Sequence, residues 1–472
     1  MAPRGRIAYP RGDPYHETMR ILLVNPLQAR RVGSRGKIYN RVWPPLSEAN
    51  CAALLEREGH EAAILDANAE GIGPEDVGRR AAGFDKVFVT SSAIDRWQCP
   101  VLDLGPFLDA VEAVRKTTDE VYVTGAHGTV RPEEMLERTG AKAVIRGEPE
   151  LTVTELCGTD DLSTVRGIAY RSGGRFVDNG PREPLDLKSL PLPAFHLLPM
   201  DRYYYEVLGD RFTLLEASRG CDCRCSFCLL AMYGDGLRVK TAGQVIDELE
   251  AAIRRFHVRT AYFMDLEFTA HRGLVEEVCD HLIAKRHDFR WTCQTRLDRV
   301  DDDLLMNMKR AGCDLIHFGV EAADDRTLKA LGKGLTVERI VAGMEAVKRH
   351  GIRSACFFLM GLPGSTMEDL DEIVRFAIRL DPTYALFHIA IPYPGTRLHA
   401  VVSRDGGSFS DDGPFPEACV GAVTLPDLKK AIRKAYARFY LRPRYVLSTL
   451  GSGRARDLWK QMKLFSGFVS GR

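Results

Sequence analysis

Three cysteines stand close together in the middle of the 472-residue chain. Cys221, Cys225 and Cys228 form a C-x3-C-x2-C array within the segment RGCDCRCSFC. Three thiolates on one short loop can hold three irons of a [4Fe-4S] cube and leave the fourth iron open to a substrate or cosubstrate. The spacing therefore predicts a cluster that takes part in the chemistry instead of only carrying electrons.

A structural zinc site is the alternative for this array. Zinc loops usually combine a C-x2-C knuckle with a distant second pair of ligands, and no such pair of Cys or His follows here. Cys223 lies inside the array and offers a spare thiol, which we interpret as an unligated loop cysteine. The other eight cysteines are scattered, and we interpret them as small, reduced core residues.

The composition limits the class of protein. Hydrophobic residues make up 45% of the chain and charged residues 27%, and 65 basic residues nearly balance 64 acidic ones. The formal charge of +1 provides no field that would attract nucleic acid. Residues 1–19 contain arginines and prolines but no apolar signal segment, and no run is long enough for a membrane span. We therefore expect a cytoplasmic enzyme with a short disordered leader and no membrane partner.

Two series of alternating strands and helices must position the cysteines. In residues 20–160 this alternation predicts a doubly wound parallel sheet, whose ligands lie at the carboxyl ends of the strands. Residues 161–205 contain short β segments and the run Leu190-Pro191-Leu192-Pro193, which is typical of a linker.

A second series of strands and helices follows the linker. Residues 206–405 contain six strand–helix units, which predict a partial (βα)6 barrel with its chemistry at the carboxyl ends of the strands. The cysteine loop directly follows the first of these strands, Thr213–Ala217. Residues 406–472 form the last predicted unit, a small helical C-terminal region.

The cysteine loop and the strand ends together resemble the radical S-adenosylmethionine (SAM) superfamily, in the subfamily with an N-terminal cobalamin-binding domain. The segments that support the resemblance are Tyr262–Phe268, Trp291–Arg296, Phe318–Glu321, Met360–Gly364 and Pro392–Thr396. The resemblance implies three cofactors: a [4Fe-4S] cluster, SAM and cobalamin. It also implies that SAM chelates the open iron, that one electron cleaves SAM to a 5′-deoxyadenosyl radical, and that a low-potential donor such as a flavodoxin, a ferredoxin or a dedicated reductase supplies the electron.

The resemblance assigns roles at the SAM site. Phe227 resembles the aromatic residue that packs near the adenine and keeps water from the cluster. Asp265 and Glu267 end the second barrel strand, where the family places groups that meet the SAM amine, and either acid could also handle protons.

Further strand ends carry residues of the same kind. Arg296 ends the third strand and suits a carboxylate, and Glu321 ends the fourth strand within reach of a ribose or an amine. Gly361 and Gly364 allow close approach of the adenine, although a simple βα turn explains them equally well. Taken singly, each charged residue is typical of a solvated strand end, but their occurrence at successive strands favours a SAM site.

Small loops in the first domain resemble those that hold cobalamin. Ser91 and Ser92 follow the third strand, and Gly125 and His127 follow the fourth. Small residues suit a flat macrocycle lying across strand ends. His127 either contacts the corrin or caps the next helix, and the D-x-H-x-x-G signature of other cobalamin proteins is absent from the sequence, as is usual in this subfamily.

A bulky segment departs from this pattern. Ile94–Gln98 follows the serines and contains Trp97, which either packs against the corrin or fills its place and leaves the domain a vestige.

The basic segment Leu428–Tyr445 is interpreted as a helix over the open side of the barrel, with docking of an acidic electron donor as the alternative. Tyr203–Tyr205 is interpreted as packing between the domains.

Three functional hypotheses follow from these residues. The first is a radical SAM enzyme that uses cobalamin to methylate an unactivated carbon, or phosphorus, of a small molecule such as a natural product. The second is a cobalamin-independent radical dehydratase or deoxygenase that acts on a polyol or an amino sugar. The third is an iron–sulfur sensor or scaffold, which the set of barrel strand ends disfavours.

Overall fold

The protein is represented by a computed structural model that describes residues 18–27, 42–92, 104–234, 236–405, 408–409, 418–419 and 423–451. Residues 1–17 of the predicted leader, the segment Ile94–Gln98 with Trp97, and residues 452–472 lie outside the described residues. Among the helices of the described ranges, none has both the length and the apolar composition needed to cross a membrane.

The first domain is built on a seven-stranded sheet with the strand order β2-β1-β3-β4-β5-β6-β7. Its strands are β1 (Arg20–Asn25), β2 (Glu61–Asp66), β3 (Lys86–Thr90), β4 (Val121–Thr124), β5 (Ala143–Ile145), β6 (Ile168–Ser172) and β7 (Arg175–Asp178). Its helices are α1 (Leu46–Arg57), α2 (Ala67–Glu70), α3 (Pro74–Ala81), α4 (Gly105–Arg115), α5 (Ala126–Val130), α6 (Pro132–Thr139) and α7 (Pro149–Gly158).

Helices cover both faces of this sheet. Strands β1 to β5 are parallel, and β3 is buried along its whole length, as its run of apolar residues requires. Alternate residues of one strand enter separate cores, so that Leu22 packs in one layer and Leu23 in the other. The predicted doubly wound sheet is therefore confirmed.

The predicted linker contributes to this sheet. Within residues 161–205, β6 and β7 form an antiparallel hairpin, and β6 pairs with β5 so that Ile168 faces Ile145. The hairpin covers the edge of β5, which would otherwise present unpaired backbone groups. The segment is therefore part of the first domain up to Asp178, and the connection to the second domain is shorter than the sequence indicates.

The second domain is a six-stranded parallel sheet with the order β10-β13-β14-β15-β16-β17. These strands are β10 (Phe212–Leu215), β13 (Thr260–Phe263), β14 (Arg290–Thr295), β15 (Cys313–Glu321), β16 (Arg353–Met360) and β17 (Tyr384–Ile389). The helices between and after them are α8 (Ala242–Phe256), α9 (Arg272–Lys285), α10 (Asp302–Arg310), α11 (Asp325–Ala330), α12 (Val337–Arg349), α13 (Met367–Leu380) and α14 (Arg397–Arg404).

Short antiparallel pairs and two further helices complete the chain. The pairs are β8 (Tyr204–Tyr205) with β9 (Gly209–Asp210), β11 (Ser218–Cys221) with β12 (Gly236–Val239), and β18 (Ser408–Phe409) with β19 (Ala418–Cys419). The C-terminal helices are α15 (Leu425–Tyr440) and α16 (Pro443–Gly451). The predicted partial barrel with a helical C-terminal region is confirmed.

Helix α15 closes the open edge of the partial barrel. The Tyr440 hydroxyl accepts a hydrogen bond from the Ala385 amide at 3.1 Å and donates one to its carbonyl at 3.0 Å, and the Tyr436 hydroxyl accepts one from the Phe387 amide. These bonds satisfy backbone groups of β17, which is the last strand in the order of this sheet among the described residues. The helix therefore covers the side of the barrel that lacks strands.

Candidate functional site

A short hairpin presents the three cysteines at the carboxyl end of the first barrel strand. Strand β11 begins three residues after β10 and pairs antiparallel with β12, and Cys221 is the last residue of β11. The loop between the two strands contains Cys225 and Cys228. The cysteines thus lie where a barrel carries its chemistry, but on a hairpin that the strand pattern of the sequence does not indicate.

Cys221, Cys225 and Cys228 are each half-buried, so their thiols are partly accessible. Of the residues that the structure describes, one compact group of possible metal ligands stands out, formed by Cys221, Asp222 and Cys223 within 4.8 Å. A cube binds its three thiolates at separate corners and needs a wider spacing than this. Cys225 and Cys228 are outside this compact group, so their role as ligands stays a prediction.

Cys223 lies in an electropositive position beside the array. Arg296 and Arg299 place guanidinium nitrogens 3.5 and 3.7 Å from its sulfur. A hydrogen bond with Cys221 and these two charges together lower the pKa of the Cys223 thiol to about 7. Cys223 is thus held by two arginines, and its interpretation as an unligated loop cysteine stays a prediction.

Backbone hydrogen bonds clamp the cysteine loop from two sides. The Ser226 amide donates to the Leu331 carbonyl at 2.8 Å, and the Leu398 amide donates to the Ser226 carbonyl at 2.8 Å. Arg397 donates to the carbonyl of Arg224. The loop is therefore fixed by the segment after α11 and by the start of α14, which come from the far half of the barrel.

Phe227 shelters the loop on its apolar side. It packs against a small buried cluster formed by Leu331, Leu362, Ala390, Leu398 and Val402. An apolar wall of this kind excludes water from an iron–sulfur cluster and tunes its potential. The donor set of three thiols and this dry wall fit a [4Fe-4S] cluster.

Asp265 binds the residues at the start of the cysteine hairpin. Its carboxylate accepts hydrogen bonds from the Ser218 hydroxyl at 2.5 Å and from the Ala217 amide at 3.2 Å. Asp265 is buried, and this burial raises the pKa of its carboxyl to about 7. The structure therefore places Asp265 under the start of β11, where it supports the cysteine hairpin.

Glu267 ties the second strand end to the third. Its carboxylate accepts hydrogen bonds from the Thr295 hydroxyl and, at 3.2 Å, from the Arg296 amide. Burial raises the pKa of Glu267, and these bonds reduce the shift. The structure thus brings Glu267 and Arg296 together at one edge of the barrel.

The guanidinium of Arg296 is bound within the chain. It contacts Asp298 at 2.9 Å and donates to the carbonyls of Lys333 at 2.6 Å and Gly334 at 3.3 Å. The sequence predicts that Arg296 meets a carboxylate of the cofactor, whereas in the structure the carboxylate beside it belongs to Asp298. Asp298 follows Arg296 by two positions, in the turn after the strand, so its carboxylate neutralises the charge of the Arg296 guanidinium.

Glu321 forms a buried ion pair with Lys333. The Lys333 ammonium lies 3.1 Å from the Glu321 carboxylate, and the two side chains are only 8% and 7% exposed. Burial lowers the pKa of Lys333, but the charges of Glu321 and Cys225 outweigh it and the net shift is upward. Glu321 has a φ of +70° at a register shift of β15, an unusual conformation for a residue with a side chain.

Lys333 was not predicted as a site residue. Its ammonium lies 6.0 Å from the centre of the Phe227 ring, so that it links the cysteine loop with Glu321. The sequence signal for Lys333 as a site residue is weak, because it consists of one lysine between Gly332 and Gly334 in a turn after a helix.

The two predicted adenine glycines differ in their surroundings. A Cβ at Gly361 would overlap the side chain of Leu428 in α15, whereas a Cβ at Gly364 meets no described atom within 4 Å. The close neighbour of Gly361 is thus a helix of the protein itself.

The predicted cobalamin residues come together at the carboxyl edge of the first sheet. His127 is fully buried within α5, and its Nδ1 lies 3.0 Å from the Ser91 hydroxyl. Gly125 has a φ of +101°, and a Cβ there would lie 2.6 Å from that hydroxyl and 3.3 Å from the amide of Ser92. His127 therefore connects α5 with the loop that follows β3. The small side chains of Ser91 and Ser92 and the close approach that Gly125 allows fit a flat macrocycle at this edge.

This edge faces the loop that follows the cysteines. Ala126 forms a buried cluster with Met232 and Tyr233, and the Thr129 hydroxyl lies 3.1 Å from the Met232 sulfur. A cavity of about 140 Å³ lies at the same place and is lined by both domains, including Gly147. The predicted cobalamin edge and the cysteine loop thus share one interface.

Gly220 allows the hairpin to approach itself. Its φ is +78°, and a Cβ there would overlap the carbonyl oxygen of Gly236 on the opposite strand. Gly236 has a φ of +93°, but a Cβ there meets no described atom within 4 Å.

We expect Gly220→Ala to lose most of its iron, because the hairpin has to open, and Gly236→Ala to keep most of it. Iron and sulfide per chain after anaerobic reconstitution measure this, and equal losses contradict the prediction.

Comparison with known proteins assigns the first domain and the barrel to known families. Residues 215–377 match the radical SAM superfamily, and residues 39–157 match the B12 binding domain. The chain is 30% identical over 457 residues to Uncharacterized methyltransferase PH0819 of Pyrococcus horikoshii, which covers 92% of this chain and 95% of the relative. It is 26% identical over 398 residues to the anaerobic magnesium-protoporphyrin IX monomethyl ester cyclase of Rubrivivax gelatinosus, which covers 80% of this chain and 69% of the cyclase.

A solved structure shares the arrangement of the domains. The radical S-adenosylmethionine methyltransferase TsrM from Kitasatospora setae, with cobalamin and a [4Fe-4S] cluster bound, superposes with a TM-score of 0.70. The match covers 91% of this chain and 90% of TsrM at 17% identity. At this identity the likeness concerns the fold.

Proposed function

Since this chain belongs to the radical SAM superfamily, in the group that also carries a B12-binding domain, we propose that it methylates an unactivated carbon of a small molecule. The protein is an enzyme whose cofactors are a [4Fe-4S] cluster, SAM and cobalamin. When bound, the cluster and SAM supply a 5′-deoxyadenosyl radical and cobalamin supplies the methyl group.

The observation that carries the proposal is the direct contact between the two cofactor regions. Met232 and Tyr233 follow the cysteine loop and pack on Ala126, which lies at the predicted cobalamin edge. Methyl transfer to a radical needs the methyl donor and the radical source at one substrate, because reacting groups must be held close and aligned. A shared interface between the two regions supports this arrangement.

We assign a separate role to each of the residues around this interface. Cys221, Cys225 and Cys228 hold the cluster and leave one iron for SAM, and Phe227 excludes water from it. Among the acids, Glu267 and Glu321 are our candidates for direct contact with SAM, since both lie at strand ends around the loop.

Two other predicted residues act through their neighbours. Asp265 positions the hairpin through Ser218 and Ala217, and Arg296 positions the turn at Lys333. Gly364 keeps its proposed place near the adenine, whereas Gly361 is a packing glycine against Leu428.

A low-potential electron donor is the second partner that we propose. Helix α15 exposes Lys430 and Lys434, and a basic surface suits an acidic flavodoxin or ferredoxin. Arg438 and Arg442 of the same basic segment are engaged with Asp371 and Asp381, so they brace the helix instead.

The products of SAM separate methylation from the radical dehydratase. The test uses anaerobically reconstituted enzyme with SAM and a strong reductant, with and without hydroxocobalamin. Methylation predicts S-adenosylhomocysteine that forms only with hydroxocobalamin, together with 5′-deoxyadenosine. Formation of 5′-deoxyadenosine alone, unaffected by hydroxocobalamin, contradicts methylation and favours the dehydratase.

A further inference from the structure

A buried group of charges joins the two domains beside the cysteine hairpin. The guanidinium of Arg219 lies 2.6 Å from Glu150, 2.8 Å from Glu216 and 3.4 Å from Glu148. The Arg219 side chain is 1% exposed and that of Glu150 is 0% exposed. We call Arg219 and its three carboxylates, with Arg238, Lys240 and Glu248, the interdomain charge cluster.

The members of the cluster come from both domains. Glu148 and Glu150 lie at the start of α7, directly after the carboxyl end of β5 in the first domain. Arg219 lies in β11, two residues before Cys221. One guanidinium therefore connects the edge predicted to hold cobalamin with the strand that presents the first iron ligand.

The opposite strand of the hairpin makes the same connection. Arg238 is the register partner of Arg219, and it donates to Glu148 at 3.1 Å and to the Leu185 carbonyl at 2.6 Å. Both strands that flank the cysteine loop are thus bound by one carboxylate of the first domain.

The remaining members balance the charges within the barrel. Lys240 lies 2.6 Å from Glu248 and 3.9 Å from Glu216. Removing one member leaves a buried charge with fewer partners, which destabilises the fold.

Stability alone gives a poor reason for such a cluster. Burying charges costs desolvation energy, and apolar residues of similar volume are often at least as stable. What a forked, multiply bonded guanidinium adds is a defined geometry, because its donors fit carboxylates in few orientations. The cluster therefore sets the position of the hairpin relative to the first domain.

We propose that Arg219 is a positioning residue that couples the cobalamin site to the SAM site. Cobalamin orders the loops at the ends of β4 and β5, Glu148 and Glu150 follow them, and Arg219 transmits their position to the cysteine hairpin. By linkage, cobalamin then tightens SAM binding by the same factor by which SAM tightens cobalamin binding. The inference rests on the cofactors of the family and not on methyl transfer.

The coupling factor is the quantity to measure. It is the ratio of the SAM dissociation constants of the reconstituted enzyme without and with hydroxocobalamin, determined anaerobically by equilibrium dialysis in the absence of reductant and substrate. We expect a factor of about 5 to 150 in the wild type. We expect it to fall towards one in Arg219→Met and to an intermediate value in Arg219→Lys, which keeps the charge but loses the fork.

Control variants separate coupling from folding. Arg171→Met removes an exposed ion pair between Arg171 and Glu137, which both lie in the first domain. This variant should leave the coupling factor unchanged. If the Arg219 variants do not fold, Glu148→Gln decides, since it leaves Arg219 paired with Glu150 and Glu216 and should reduce the factor. A merely structural role weakens both affinities without changing their ratio.

Two results overturn the proposal. One is a wild-type factor of one, and the other is a wild-type factor retained in Arg219→Lys and Glu148→Gln. Because no turnover is involved, either result leaves the methylation proposal standing, and failure of methylation leaves the coupling intact.

Discussion

Cys221→Ala, Cys225→Ala and Cys228→Ala are each expected to abolish reductive cleavage of SAM, whereas Cys223→Ala is expected to retain it. Loss of one of the three thiolates leaves two irons of the cube without a protein ligand, so the cube is no longer held with a single open corner. Cys223 instead contacts Arg296 and Arg299. The measurement is 5′-deoxyadenosine formed by anaerobically reconstituted enzyme with SAM and dithionite.

Cys223→Ala is the matched control, since it removes a thiol from the same loop. Iron per chain and the electron paramagnetic resonance signal of the reduced cluster accompany the product assay. Full activity in any of the first three variants refutes the assignment of that ligand. Inactivity of Cys223→Ala together with lost iron would instead make Cys223 a ligand of the cluster.

Lys333→Met is expected to lower the free energy of unfolding by about 3–5 kcal/mol, because it leaves the carboxylate of Glu321 buried without its partner. Both side chains are less than 10% exposed, so water cannot compensate for the lost charge. The double variant Lys333→Met with Glu321→Gln is expected to recover most of the loss, since no isolated charge remains. Urea unfolding followed by circular dichroism measures the three proteins.

An exposed ion pair provides the control for this loss. Arg138 lies 3.3 Å from Glu134 with about a third of each side chain exposed, and Arg138→Met is expected to cost less than about 1 kcal/mol. If Lys333→Met is no worse than Arg138→Met, the buried pair does not stabilise this end of the barrel.

The two sheets were predictable because their signals are local. Buried parallel strands show as short apolar runs such as Lys86–Thr90, and strand and run agree to the residue here. The cysteine spacing also lies within one segment, so its chemistry could be inferred before its position was known. The sequence does not assign the strands Ile168–Ser172 and Arg175–Asp178 to the first sheet, because the pairing of β6 with β5 depends on which edge of the sheet is open, and β7 pairs only with β6.

The parts of the site that escaped prediction depend on distant partners. Arg219 meets Glu150 from 69 residues away, and Arg296 meets the Lys333 carbonyl from 37 residues away. A single sequence does not reveal which charge lies opposite which. The strand-end position of Arg296 is predictable from the sequence, whereas its pairing with Asp298 depends on how the turn after the strand folds.

The clamps on the cysteine loop also bear on how the enzyme is made in the cell. Leu331 and Leu398 bond to Ser226 from the far half of the barrel, and Leu398 is added about 170 residues after Cys228. At about 5–20 residues per second, the ribosome needs roughly ten to thirty seconds for this stretch. Iron delivered before this stretch is made therefore meets a loop that lacks the clamp from Leu398, so we expect stable loading to follow synthesis of α14.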